Sequence, residues 1–258
     1  MSESTSAEPT ADRALRIEQV ALRAWPALAD SDFDGWRLRF ADGYTRRANS
    51  ITPLAPSRLA LEDKIATCER LYAERGLPTI FRMTPFAPSD LDALLARRGY
   101  RLGDQVEVRS RPLASAIAPP LQRATGILRE HSIGRWLQIF ETLSGAPAGN
   151  RSAHRAVLNT VPGTRRLLAL QVHDVPVACG MSVLWDGLLG LFDLATVPEQ
   201  RNRGYGSELL RRTLNWGHRV GAEAAYLQVL SRNLAARRIY DRAGFEIVYH
   251  YHYRERSS

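Results

Sequence analysis

At 258 residues the chain can bury one large core or two modest ones, and with an apolar share of 45% it reads as an ordinary globular protein. No run approaches the ~20 apolar residues that cross a bilayer, and Cys68 and Cys179 stand too far apart to suggest a disulfide framework or a thiolate metal site. The net charge of +8 comes from scattered arginines with no basic run interleaved with aromatics, which argues against a nucleic-acid partner and leaves positive charge available to a phosphorylated cofactor.

Residues 1–12 are rich in Ser, Glu, Thr and Ala and read as a disordered tail. The first 14 residues hold no apolar core segment, so a cytoplasmic protein without a membrane anchor is expected. A helix is expected over Ala14–Leu28, with Leu15, Val20, Ala21 and Trp25 on its apolar face, then a strand through Trp36, Leu38 and Phe40, a turn at Asp42-Gly43 and a second strand from Tyr44 to Ile51. Pro53 and Pro56 end that strand, and Ser57 is placed to cap a helix running to Arg75. Gly76 stops it. Thr79–Met83 reads as a strand, Ser89–Arg98 as a short helix, and Gln105–Arg109 as a strand that closes the first half near Arg111. An Ala/Pro-rich passage within 112–130 reads as a linker.

The second half opens with a helix over His131–Leu143, carrying Trp136, Leu137, Phe140 and Leu143, then a loop and a short helix near Ala153–Leu158. Arg165–Val172, Val177–Trp185 and Leu189–Val197 read as strands joined closely enough for an antiparallel meander. Pro198 ends the third, and Arg201-Asn202-Arg203-Gly204-Tyr205-Gly206 forms a basic glycine turn into a helix from Ser207 to Val220. Strand, glycine turn and helix aim several backbone N–H groups at one point, which attracts phosphate. The turn lacks the lysine of a Walker loop and the third glycine of a dinucleotide fingerprint. Ala224–Val229 is the next strand, Asn233 caps a helix to Arg242, and Ile247–Tyr253 is the last strand. Helix, three strands, helix, strand, helix, strand describes an α/β (α+β) mixed sheet flanked by helices. The Gly99-Tyr100 and Gly244-Phe245 pairs, each after a short amphipathic helix, point to two related halves, of which only the second carries the anion turn.

The turn matches Gln/Arg-x-x-Gly-x-Gly/Ala, and with the block from Asn233 to Phe245 the chain resembles the GCN5-related N-acetyltransferase (GNAT) superfamily over about Ala153–Arg254. The tail from Tyr249 to Arg254 resembles a bacterial subgroup, and the first half resembles the degenerate copy of two-domain relatives. The resemblance implies residues 13–111 as that copy, residues 131–258 as an acetyl-CoA-binding domain, and a monomer or homodimer. It implies that the pyrophosphate sits on the amides of Arg201, Asn202, Arg203, Gly204, Tyr205, Gly206 and Ser207. The pantetheine then lies between splayed strands, on Leu194 and Thr196, with Asn233 capping its helix and also available to a pantetheine amide.

The implied reaction is transfer of acetyl from acetyl-CoA to a primary amine, on a small molecule or a protein or peptide, by direct attack in a ternary complex. Tyr240 stands where the family places its thiolate proton donor, and a phenol near pKa ~10 suits that exchange. N-terminal acetylating relatives carry a glutamate where this chain has Gln228, which cannot take a proton from an ammonium. Asp193 is the nearest alternative base; Glu246, His131, His250, His252 and water stay open. Trp136 lies on the helix the family turns toward substrate. No metal site is expected, since His250 and His252 lack further ligands. A non-catalytic acyl-CoA sensor is the alternative reading.

Overall fold

The computed structural model describes residues 10–56, 58–113 and 125–256. Helix α1 (Thr10–Ala24) turns Ala14, Ile17, Val20, Ala21 and Ala24 inward at three- and four-residue spacings, with Trp25 buried just beyond its end. Strands β1 (Ala29–Phe33) and β2 (Trp36–Phe40) form a hairpin whose two-residue turn, Asp34-Gly35, has positive φ at both positions. β1 was not expected, because its largely exposed Ala-Asp-Ser-Asp-Phe sequence has no apolar alternation and is held only as an edge.

The expected strand from Tyr44 to Ile51 is corrected. Arg46–Ala48 forms a 3-10 turn, and only Ile51–Pro53 is extended, as β3. Buried Asn49 clamps the loop: its Oδ1 accepts from the N–H groups of Ala41 and Gly43, and its Nδ2 donates to the carbonyls of Tyr44 and Thr45. Ser57, the expected cap, lies outside the described residues; α2 spans Leu61–Ala73, and the Asp34 carboxylate accepts the N–H groups of Arg58 and Leu59 ahead of it.

β4 (Thr79–Met83), α3 (Leu91–Arg97) and β5 (Arg101–Pro112) follow. Of the expected linker, residues 114–124 lie outside the described residues, while Ile127–Glu130 forms β6. Then come α4 (Ile133–Ser144), α5 (Arg151–Thr160), β7 (Thr164–Val172), β8 (Val175–Trp185) and β9 (Leu188–Thr196). The expected meander joins β7 to β9 through two-residue turns at His173-Asp174 and Asp186-Gly187. α6 (Tyr205–Arg219), β10 (Ala224–Leu230), α7 (Leu234–Arg242) and β11 (Glu246–Arg256) complete the chain.

Among the described residues the strands form one eleven-stranded sheet, ordered β1-β2-β3-β4-β11-β5-β10-β9-β8-β7-β6. Only β3–β4 and β9–β10 pair in parallel, so the sheet is mixed and mostly antiparallel, as expected. The run helix, three strands, helix, strand, helix, strand occurs twice along the chain. At the centre the two runs interlock. β11, the last strand, lies between β4 and β5 of the first run, and β5 lies between β11 and β10 of the second.

One face of the sheet is covered by α1, α4 and α5, and α1 reaches across the junction to β8, β9 and β11. Beneath α1 the carboxylate of Glu18 binds both terminal nitrogens of Arg82 on β4 and accepts from Tyr249 Oη on β11, with both charged groups fully buried. The other face carries α2 and α3 over the first run and α6 and α7 over the second.

A chain beginning at residue 125 loses β5, which leaves unpaired edges on both β10 and β11. It is expected to give no cooperative unfolding transition in urea and to aggregate, whereas the full chain gives one; far-ultraviolet circular dichroism against urea decides.

Candidate functional site

The register of β9 on β8 slips in mid-strand. Phe192 faces Met181 and Ala195 faces Cys179, so Asp193 and Leu194 share the place opposite Gly180. Asp193 adopts φ 51° in this bulge, which re-aims successive side chains. Phe192 joins the cluster beneath α1 and α5, whereas Leu194 lies over Gly180, where a Cβ would stand 3.3 Å from it and 3.5 Å from Leu209 of α6.

β9 and β10 pair only from Leu188 opposite Ala224 to Leu191 opposite Leu227. Beyond that point β9 continues on β8 and β10 on β5, so the two strands part. The N–H of Val197 donates to Val177 O at 3.1 Å, and alternation therefore turns the Thr196 backbone toward the open edge. An open edge of this kind needs hydrogen-bond partners.

The glycine turn lies at the mouth of this gap. A 3-10 turn over Pro198–Gln200 leads to exposed Arg201, Asn202 and Arg203. Asn202 and Gly204 take φ of 63° and 87°, which glycine adopts without strain. Gly204 is the N-cap of α6 and no side chain caps that helix, so the N–H groups of Tyr205, Gly206 and Ser207 in its first turn have no intrahelical acceptor. A Cβ on Gly206 would meet Thr196 Oγ1 at 3.1 Å and Ile239 of α7 at 3.8 Å; its absence lets the turn lie against both. Glu208 neutralises Arg211 and Arg212 at 2.7 Å each, while Arg201 and Arg203 make no ion pair among the described residues, Arg201 donating only to Thr196 O at 3.4 Å.

Asn233 caps α7, its Oδ1 accepting from Ala236 N–H at 3.1 Å. About two turns later Tyr240, 8% exposed, packs in the same cluster as Leu191, Leu194, Leu227 and Val229. Burial pushes its phenol up to about 12, with the Arg109 guanidinium opposing. Leu194 and Tyr240 thus share one cluster, and Thr196 and Ile239 of α7 lie against the glycine turn, while Asn233 follows the end of β10.

Other expected residues are placed differently. Trp136 is fully buried, donates its indole N–H to Leu168 O at 3.2 Å and stacks on Phe140, so it lines no opening. Gln228 accepts from Tyr251 Oη at 2.8 Å. His252 and Arg254 engage Asp92 of α3, whose carboxyl they hold at about 2, and Glu246 and His250 are exposed. Asp193 turns to a residue that no motif marked: His154 of α5, 3% exposed, whose Nε2 stands 3.1 Å from Asp193 Oδ2. His154 is enclosed by the rings of Trp25, Tyr44, Trp136 and Phe140. Trp25 and Tyr44 come from the first run of elements, so both runs build this side of the gap.

The family described as Probable histone acetyltransferase Rv0428c C-terminal matches residues 12–255. An uncharacterised N-acetyltransferase of Bacillus subtilis, YobR, is 28% identical over 93% of this chain and 97% of its own. The probable histone acetyltransferase Rv0428c of Mycobacterium tuberculosis is 27% identical over 95% of this chain and 75% of its own. Among solved structures, a GCN5-related N-acetyltransferase from Kribbella flavida superposes with a TM-score of 0.74 at 16% identity, covering 95% of this chain and 96% of that one.

Asn233→Ala removes the one side-chain cap of α7. It is expected to lower stability by about 1 kcal/mol, with Asn233→Asp recovering most of it, as read from urea midpoints.

Proposed function

The chain belongs to the Rv0428c C-terminal family, within the GCN5-related N-acetyltransferase superfamily, and from that premise we propose that it transfers an acetyl group from acetyl-CoA to a primary amine by direct attack in a ternary complex. The observation that carries the reading is the uncapped αL turn of Gly204 at the mouth of the gap between β9 and β10. A pyrophosphate would find the N–H groups of residues 202–207 and the free charges of Arg201 and Arg203 there, and the amides of a pantetheine arm would find the edge at Leu194 and Thr196. Asn233, the N-cap of α7, would also be a contact for that arm. Bound acetyl-CoA would supply the activated acyl group.

On this reading Tyr240 holds its proton well past neutral pH, since burial raises its phenol, and releases it to a departing thiolate. Asp193 is the acceptor of the amine's proton, held in place by the bulge and by His154 at 3.1 Å. Trp136 backs this side of the site from the core, and Gln228, tied to Tyr251, positions without taking a proton. Cys68 and Cys179 are buried and their thiols are pushed up, Cys68 to about 12, which favours direct attack over an acyl-cysteine route. The division into a supporting first half and a cofactor-binding second half, and a cytoplasmic enzyme acting as a monomer or homodimer, belong to the same proposal. No helix among the described residues is long and apolar enough to cross a membrane.

Gly204→Asp puts bulk at a φ of 87° and negative charge where phosphate is to sit; calorimetric titration is expected to show acetyl-CoA affinity reduced at least about 100-fold, and unchanged affinity sinks the site. Tyr240→Phe is expected to keep most of that affinity while slowing thiol release at least about tenfold, within the usual range for removing a general acid. A full-rate variant removes Tyr240 from the chemistry.

A further inference from the structure

Two side chains beside the Asp193 bulge carry a buried polar atom without a hydrogen-bond partner, Arg47 Nε and Tyr226 Oη, while the buried His154 Nε2 and Asp193 Oδ2 face each other at 3.1 Å. Buried unpartnered atoms are rare in folded proteins, and two in one place ask for a ligand. They are close neighbours. Trp25 lies 5.7 Å from His154 and 5.6 Å from Phe192, the Arg47 guanidinium stands 5.6 Å and 5.7 Å from these two rings, Trp25 and Phe192, and Phe192 is 6.1 Å from Tyr226. Tyr226 and His154 are 1% and 3% exposed, so water does not reach them freely.

We propose that this cluster is the acceptor subsite, that Arg47 recognises a carboxylate there, and that the acceptor is an amine of the amino-acid type. The inference rests on the acetyl-transfer reading above and names its substrate class. The charge balance supports it. Three guanidinium groups crowd this face, on Arg39, Arg47 and Arg82. Glu18 matches Arg82. Arg39, 1% exposed, is held by the carbonyls of Leu22, Trp25 and Arg47 and makes no ion pair among the described residues. Arg47 makes no ion pair among the described residues, and its fork fits a carboxylate in the plane.

At the other end Asp193 offers the negative charge that an ammonium seeks, and the Trp25, Tyr44 and Phe192 rings suit a cation or an apolar side chain. A substrate bearing both charges complements both ends; an amine without a carboxylate leaves Arg47 unmatched. Tyr44, which stacks on His154 at 4.9 Å, also borders a cavity of about 480 Å³ lined by Asp42, Gly43, Asn150, Ser152 and Ala153, which would be the route of entry. Arg39, through its bond to Arg47 O, is a positioning residue for the loop.

The test is thiol release from acetyl-CoA with the proteinogenic amino acids, their C-terminal amides, their decarboxylated amines and an amidated lysine peptide. For the best amino acid, kcat/KM is expected to exceed that of its amide at least about tenfold, the usual scale of a charge-assisted hydrogen bond. Arg47→Gln is expected to bring that ratio close to one, and Arg47→Lys to leave it intermediate. Equal losses on acid and amide would reduce Arg47 to a packing residue and overturn the proposal, as would an amide, simple amine or lysine peptide outperforming every acid. Acetyl-CoA bound without transfer to any member of the panel overturns the acceptor class alone, whereas failure of acetyl-CoA to bind overturns the reading beneath it. Should Arg47→Gln fail to fold, Arg47→Lys and the acid-to-amide ratio of the unmodified chain decide.

Discussion

Each run of elements lends its last strand to the other, and this exchange is the constraint on which the rest of the molecule depends. β5 fills the place between β10 and β11, and β11 fills the place between β4 and β5. Four neighbouring strands therefore alternate in origin, and neither run can satisfy its backbone alone. The buried Glu18 carboxylate pins the junction from above, joining α1, β4 and β11 through Arg82 and Tyr249. Losing one partner of such a pair costs about 3–5 kcal/mol, so the pin couples the two runs even where their strands do not touch.

The exchange also decides what surrounds the gap. Because α1 is drawn over β8 and β9, its neighbour Trp25 and the Asn49-clamped loop with Tyr44 and Arg47 arrive beside Phe192 and His154. The bulge then divides labour between faces: Leu194 turns to the side of α6 and α7, with the glycine turn and Tyr240, while Phe192 and Asp193 turn to the side of α1 and α5. Two adjoining residues of one strand thus open onto two chemically different environments, one basic and rich in free N–H groups, the other aromatic with opposed charges.

Local chemistry was readable from the letters. The turn from Arg201 to Gly206, the Asn233 cap, the meander and the proline and glycine punctuation each depend on residues within a few positions of one another. Features built from distant contacts left no such mark. β1 has a polar sequence and exists only because β2 offers an edge; the loop before β3 is shaped by one asparagine reaching over four to eight residues. Nothing near Glu107 or Tyr251 announces that they will face neighbouring strands from opposite ends of the chain. His154 and Arg47 lie in no motif, because their surroundings are rings and a carboxylate brought from distant parts of the chain. Trp136 and Gln228 mislead in the opposite sense, since helix and strand positions were read correctly while their side chains found partners in the core and on β11.

The place of β11 has a temporal consequence. A polypeptide leaves the ribosome from its N-terminus, and domains ordinarily settle as they emerge. Here the segment that completes the middle of the sheet is the eleven residues Glu246–Arg256, made long after β4 and β5. Until they appear, β4 and β5 are left without the strand that separates them, and the first run must wait, partly assembled, for β11 to be made. A chain stopped before Glu246 would lack the centre of the fold rather than its margin.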